Sequence, residues 1–190
     1  MATIQEAMTQ GADLLEQAAA GKIDAASFER QLTSLLETPV ATRGFMAALA
    51  TGTIPEKPEV RKILLETIRK NQESTYELIL KNIVMPICAA QEHDRQNRPE
   101  QAALSRRTCA ISEELAELLD DPRLATMADN LLAAIEHFPE HARPATDSSA
   151  PERAELDKWY EFFERWHYSR ESLLAAKDPL AKIAGGALRQ

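Results

Sequence analysis

Residues 59–98 read EVRKILLETIRKNQESTYELILKNIVMPICAAQEHDRQNR, and they contain no glycine and a single proline, Pro86. Apolar residues recur along the stretch at helical spacing. A helix of this length would measure about 60 Å at 1.5 Å per residue, whereas a compact domain of 190 residues is about 40 Å across. The helix must therefore protrude or bend. Pro86 predicts a bend, because it has no N–H for the carbonyl of Asn82 and its ring crowds that carbonyl.

Helix start signals lie on both sides of this stretch. Thr3, followed by Glu6 three residues later, is the pattern of a capping box. Asp121 directly before a proline is the pattern of an N-cap with proline at the first helical position. No alternating strand pattern is present. The sequence therefore predicts an all-α fold, an irregular helical bundle built around a long Pro-kinked helical hairpin of residues 59–98 and 99–120.

Residues 139–151, PEHARPATDSSAP, contain three prolines and little apolar content. This composition is typical of a linker or an exposed loop. We therefore expect a helical bundle domain over residues 1–138 and aromatic-rich C-terminal helices over residues 152–190. Those helices are expected to dock on the bundle or on a partner chain.

Charge and hydropathy restrict the possible partners. The formal net charge is −8, which disfavours nucleic acid and anionic membrane surfaces. No apolar run approaches the roughly 20 residues of a membrane span, and the N-terminus lacks the pattern of a signal peptide. Two cysteines do not form a disulfide scaffold. These features predict a cytoplasmic protein that binds neither nucleic acid nor membranes.

Aromatic residues are concentrated near the C-terminus. Trp159, Phe162, Phe163 and Trp166 follow the spacing i, i+3, i+4 and i+7, which places them on one helix face, with Tyr160 at its side. Such a face buries a large area, and Trp and Tyr are common anchors at interfaces. Three interpretations remain open: docking on the chain's own core, an interface with another chain, and contact with a flat ligand.

The two cysteines lie at matching distances from the turn between the predicted hairpin helices. Cys88 and Cys109 would therefore face each other near the Pro86 bend and the free carbonyl of Asn82. These three residues form a candidate ligand or redox site. The alternative is that both thiols are buried as small hydrophobic groups.

Catalytic and metal-binding patterns are absent from the sequence. There is no Gly-x-Ser-x-Gly, His-Glu-x-x-His, Cys-x-x-Cys or phosphate-binding glycine loop. Residues Glu92, His93 and Asp94 are one group that an enzyme could use. We expect no metal and no cofactor, and we predict no catalytic residue.

The leading functional hypothesis is a non-catalytic helical module for protein interaction, as an adaptor or in assembly. Its partner would be another protein or a second copy of the chain, and a homo-oligomer is expected. One alternative is a helical protein that binds a small molecule or cofactor near Pro86. The other is an enzyme whose site is assembled from scattered residues.

Overall fold

A computed structural model describes residues 3–138 and 150–186, and its secondary structure is helical throughout those ranges. This confirms the predicted all-α fold. The helices are α1 (Ile4–Ala20), α2 (Ala25–Leu35), α3 (Pro39–Thr51), α4 (Pro58–Lys70), α5 (Gln72–Arg95), α6 (Pro99–Leu119), α7 (Pro122–His137), α8 (Ala150–Arg165), α9 (Arg170–Leu174) and α10 (Lys177–Gly186). Within the described ranges, no helix is long and apolar enough to cross a membrane.

The chain forms two compact units. Unit 1 comprises Met1–Asn82 and Arg107–Leu119, and unit 2 comprises Ile83–Arg106 and Asp120–Gln190. Helices α5 and α6 therefore each contribute to both units. The boundary predicted from the sequence lies at residues 139–151 and separates α7 from the C-terminal helices. The structure instead places α7 together with α8–α10 in unit 2. Most of that predicted linker lies outside the described residues, and its last two residues begin α8.

The segment predicted as one long helix is two helices, α4 and α5, which meet at Asn71. The side-chain amide of Asn71 donates to the carbonyl of Thr67 at 2.9 Å, and the hydroxyl of Thr75 donates to the carbonyl of Asn71 at 2.9 Å. The Thr75 hydroxyl also reaches the carbonyl of Ile68 at 3.1 Å. Such bonds compete with the helical backbone pattern. The prediction of an uninterrupted helix is therefore wrong at Asn71, whereas α5 continues through Pro86. The kink at Pro86 remains a prediction.

In unit 1, helices α1 and α3 pack at unusually short distance through small residues. A methyl group added to Gly44 would lie 2.5 Å from the Cβ of Ala7 and 2.7 Å from the carbonyl oxygen of Ile4. One added to Gly11 would lie 3.2 Å from the Cβ of Ala48. The early residues of α1 thus contact the early residues of α3, so the two helices run in the same direction. Glycine at position 44 is required by this close approach.

Arg69 connects α4 to the end of α6 within unit 1. Its guanidinium donates to the carbonyl of Leu119 at 2.7 Å and to that of Leu118 at 3.5 Å. Carbonyls at a helix C-terminus have no intrahelical partner and carry the negative end of the helix dipole. The guanidinium of Arg69 supplies donors for two of these carbonyls, and it places a positive charge at the negative end of the α6 dipole. Asp120, which follows, has φ 41°, the left-handed conformation that commonly ends a helix.

In unit 2, α7 is covered by α8, α9 and α10. Its apolar residues recur at helical spacing and are buried along the whole length of the helix. They are Leu124, Ala125, Ala128, Leu131, Ala134 and Ile135. Two of the covering helices also bond to the last turn of α7. Lys177 of α10 forms an ion pair with Glu136 at 2.7 Å, and Arg170 of α9 donates to the carbonyl of Glu136 at 3.3 Å.

Gly44→Ala is expected to destabilise the protein, because the added methyl group would force α1 and α3 apart. Overpacking of this kind costs about 1–3 kcal/mol, against a gain in helix propensity of about 1 kcal/mol. Gly185→Ala is the matched control, since a Cβ at Gly185 meets nothing within 4 Å and receives only the propensity gain. Urea unfolding followed by circular dichroism measures both. Equal midpoints for the two variants would contradict the steric argument.

Arg69→Ala is expected to lower the free energy of unfolding by about 1.5–3 kcal/mol, the usual range for a hydrogen bond to a charged group. Lys62→Ala on the same helix serves as control. Lys62 and Glu66 are exposed and their charged atoms lie 3.9 Å apart, a type of pair that contributes about 0–1 kcal/mol. Thermal unfolding compares the two variants. If Lys62→Ala were the more damaging change, the capping role of Arg69 would be wrong.

Candidate functional site

Helix α8 buries most of the predicted aromatic face inside unit 2. Trp159 and Phe163 are fully buried and Phe162 is nearly so, whereas Tyr160 is half-buried. Trp166, the fifth residue of the predicted interaction site, remains 52% exposed. The structure thus brings four of the five residues into contact with their own chain and leaves one at the surface.

Two further aromatic residues complete the cluster. Phe138, at the end of α7, packs edge-on against Phe163 with ring centroids 5.3 Å apart, and it stacks on Tyr160 at 6.1 Å. Tyr168 packs edge-on against Phe162 at 5.8 Å. Each such pair contributes about 0.5–1.5 kcal/mol beyond the area it buries. The predicted aromatic face did not include Phe138. Its spacing of three residues from Ile135 is the spacing of one helix face, and this was the available signal.

The way in which α8 ends explains why Trp166 is not buried with the other residues of the aromatic face. The N–H of Tyr168 donates to the carbonyl of Phe163 at 3.1 Å, and that of His167 donates to the carbonyl of Glu164 at 3.1 Å. His167 has φ 53°. This is the Schellman arrangement that ends a helix. It reverses the chain, so that Tyr168 and not Trp166 occupies the place beside Phe162.

Two other large apolar side chains of unit 2 are exposed, and Leu104 on α6 is 64% exposed. Leu174, the last residue of α9, is 41% exposed. His167 beside Trp166 is exposed as well. A non-glycine residue held at positive φ is uncommon, and here it fixes the backbone directly after Trp166.

Trp159 is buried with an unsatisfied polar atom. Its indole Nε1 has no hydrogen-bond acceptor among the described residues. A buried donor without a partner costs about 1–3 kcal/mol. The large apolar area of the ring outweighs this cost, but the docking of α8 is weaker than its aromatic content alone would indicate.

The three residues of the candidate ligand or redox site belong to different units. Asn82, in unit 1, donates its side-chain amide to the carbonyl of Met46 at 3.4 Å, and the thiol of Cys109 donates to the carboxylate of Glu113 at 3.2 Å. Cys88 is buried in unit 2. Both cysteines are free thiols. The convergence of Asn82, Cys88 and Cys109 therefore stays a prediction.

Burial governs the chemistry of Cys88. It raises the pKa of the Cys88 thiol to about 12. Burial also raises the pKa of Tyr168, with a smaller contribution from Cys88. The thiolate is the nucleophilic form, so Cys88 is protonated and inert at neutral pH.

The acidic groups around His93 are held by neighbouring side chains. Asp94 forms an ion pair with Arg106, and Glu92 forms one with Arg95 at 3.4 Å. The Nδ1 atom of His93 is buried without a hydrogen-bond partner in the described part of the chain. Over residues 3–138 and 150–186, no group of three or more His, Cys, Asp or Glu side chains could hold a metal ion.

Alkylation of Cys88 is expected to be very slow in the native protein. At pH 8 only about one thiol in ten thousand would be ionised, and the rate of reaction with iodoacetamide should rise about tenfold per pH unit up to pH 11. Mass spectrometry of the labelled protein measures the rate at Cys88. The same protein in urea, where the thiol is exposed, is the control. Rapid labelling of native Cys88 at pH 8 would contradict the burial argument and would favour a redox role.

Comparisons with known proteins identify a family and no individual relative. No curated protein and no solved structure matched the chain. One family model, described as Uncharacterised conserved protein UCP020893, matches residues 3–143. Helices α1–α7 lie inside the matched region, and α8–α10 lie outside it. Because the match covers well over half of the sequence, the chain belongs to this family.

Proposed function

We propose that the protein is a non-catalytic interaction module, acting as an adaptor or in assembly, and that Trp166 anchors its docking surface. The observation that carries the proposal is the half-exposed indole of Trp166 at the end of a helix that buries Trp159, Phe162 and Phe163. Tryptophan is among the residues most enriched in the energetic centres of interfaces.

The exposed area of Trp166 is large enough for this residue to act as an anchor. A tryptophan side chain can bury roughly 150–250 Å², so covering the exposed half of Trp166 would remove roughly 100 Å² from water. At about 25 cal/mol per Å² this amounts to about 2–3 kcal/mol. The left-handed turn at His167 holds the backbone beside Trp166, which reduces the entropy lost on binding.

The arrangement of charged groups supports a protein partner over a substrate. Around His93 the carboxylates of Glu92 and Asp94 are engaged by arginines, and Cys88 is protonated by burial. The net charge of −8 disfavours nucleic acid. A cytoplasmic location is part of the proposal, and the two free thiols support it. The expected partner is a second copy of the chain or another protein.

Trp166→Ala is expected to reduce the mass of the protein in solution. The wild-type chain should sediment above the 21.1 kDa of one copy, and the variant should approach that value with an unchanged unfolding midpoint, because Trp166 makes little contribution to the core. Val40→Ala is the matched control, since Val40 is an exposed apolar residue of unit 1. Sedimentation velocity at several concentrations measures the masses.

Two results would count against the proposal. One is a wild-type protein that sediments as a single copy and loses no cross-linked partner when Trp166 is replaced. The other is an equal loss of mass in Trp166→Ala and Val40→Ala, which would show that no particular surface is responsible.

A further inference from the structure

Residues 166–174, which we call the strap, connect α8 to the turn before α10 in unit 2. The strap begins with Trp166 and ends with Leu174, and its regular part is α9, a helix of five residues. A helix this short is not stable by itself in water. The conformation of the strap therefore depends on its contacts with the rest of unit 2.

Two apolar side chains attach the strap to the unit. Leu173 is fully buried, and the half-buried ring of Tyr168 packs edge-on against Phe162 with ring centroids 5.8 Å apart. Between and beside these anchors the strap is exposed at Trp166, His167, Ser169, Glu171 and Leu174. Segments with few buried apolar contacts are those that open locally while the rest of a protein stays folded.

Two charged side chains of α9 complete the attachment, and each reaches a different helix. Arg170 donates to the carbonyl of Glu136 in the last turn of α7 at 3.3 Å, and Glu171 forms an ion pair with Arg95 in the last turn of α5 at 3.3 Å. The side chains of Arg95 and Glu171 are 45% and 82% exposed. Salt screens exposed pairs of this kind, so the attachment weakens as the ionic strength rises.

The strap also holds the backbone of Trp166. Its N–H donates to the carbonyl of Phe162 at 3.3 Å, the left-handed turn at His167 follows, and the N–H of Tyr168 donates to the carbonyl of Phe163 at 3.1 Å. Docking of the Tyr168 ring keeps this turn formed. When the strap leaves the unit, the end of α8 loses that support and the indole of Trp166 loses its fixed position.

We propose that the strap opens from unit 2 as a local unit, and that the contacts of Arg170 and Glu171 hold it closed and thereby keep Trp166 in its docking orientation. Ionic strength then sets the fraction of molecules in which this surface is ready to bind. The inference rests on the proposed function for the role of Trp166, and it adds regulation of that surface. A partner that needs the closed form binds in proportion to the population of that form.

Opening of the strap is separate from unfolding of the unit. The apolar residues of α7 are buried along the whole helix, and Leu131 among them is fully buried. Amide hydrogens of such a helix exchange only in rarer and larger openings, whereas those of the strap exchange whenever the strap lifts. Hydrogen exchange at individual amides therefore distinguishes the two motions.

Hydrogen exchange of the full chain, followed by NMR, tests the proposal through Glu171→Gln. The N–H groups of Tyr168 and Leu173 should exchange about two- to fivefold faster than in the wild-type chain, the range expected for loss of an exposed ion pair. The N–H of Leu131 should exchange at the wild-type rate. Arg95 keeps its second ion pair, at 3.4 Å on its own helix, so the substitution leaves no isolated charge.

Salt provides an independent arm of the same experiment. Raising sodium chloride from about 0.1 to about 1 M shortens the Debye length from about 10 to about 3 Å. This change should accelerate exchange at Tyr168 and Leu173 in the wild-type chain, and it should do so much less in Glu171→Gln, where the pair that salt screens is already absent.

Glu164→Gln is the matched control, because Glu164 is exposed on α8 and undergoes the same chemical change outside the strap. It should leave every exchange rate at the wild-type value. Equal rates for Tyr168 in the two variants would overturn the proposal, as would an acceleration at Leu131 as large as that at Tyr168. If the strap responds as expected while Trp166→Ala leaves the mass of the protein unchanged, the opening stands and the docking function fails.

Discussion

Hydrogen bonds from backbone N–H groups to short polar side chains determine where several helices of this protein begin. Thr3 and Glu6 bond reciprocally at the start of α1, with Glu6 accepting from the Thr3 backbone at 2.7 Å. Asp24 and Asp121 accept backbone N–H groups at the starts of α2 and α7. Each cap satisfies donors that a helix leaves open. Thr38 and Ser169 cap α3 and α9 in the same way, whereas α4 begins at Pro58 without a side-chain cap.

Packing between those helices uses two different solutions. In unit 1 the facing residues of α1 and α3 are glycine and alanine, and the backbones approach until a single added methyl group at Gly44 would clash. In unit 2, large aromatic rings of α8 pack against one another and against Phe138 at the end of α7. The first tolerates almost no change in volume, whereas the second depends on a few large rings.

The sequence was sufficient where a local signal acts alone. The caps at Thr3 and Asp121 were confirmed because a cap depends on residues within one turn. The break at Asn71 was missed, because the bond from the Thr75 hydroxyl to the carbonyl of Ile68, seven residues earlier, forms only where the helix is interrupted. Helical periodicity placed Trp166 on one face with the rings that are buried, and it does not show that α8 ends one residue earlier. The grouping of the chain into units depends on contacts distant in sequence, which a single sequence does not provide.

The chain has two tryptophans, and they occupy contrasting environments seven residues apart. Trp159 is fully buried beside Phe162, whereas Trp166 is half exposed at the end of the same helix. Indole emission shifts to longer wavelength as water gains access to the ring. The intrinsic fluorescence of the protein is therefore the sum of a blue component from the interior of unit 2 and a red component from its surface. A change at the surface of unit 2 therefore alters the red component of the emission, and a change in its interior alters the blue component. The two can be distinguished without a label.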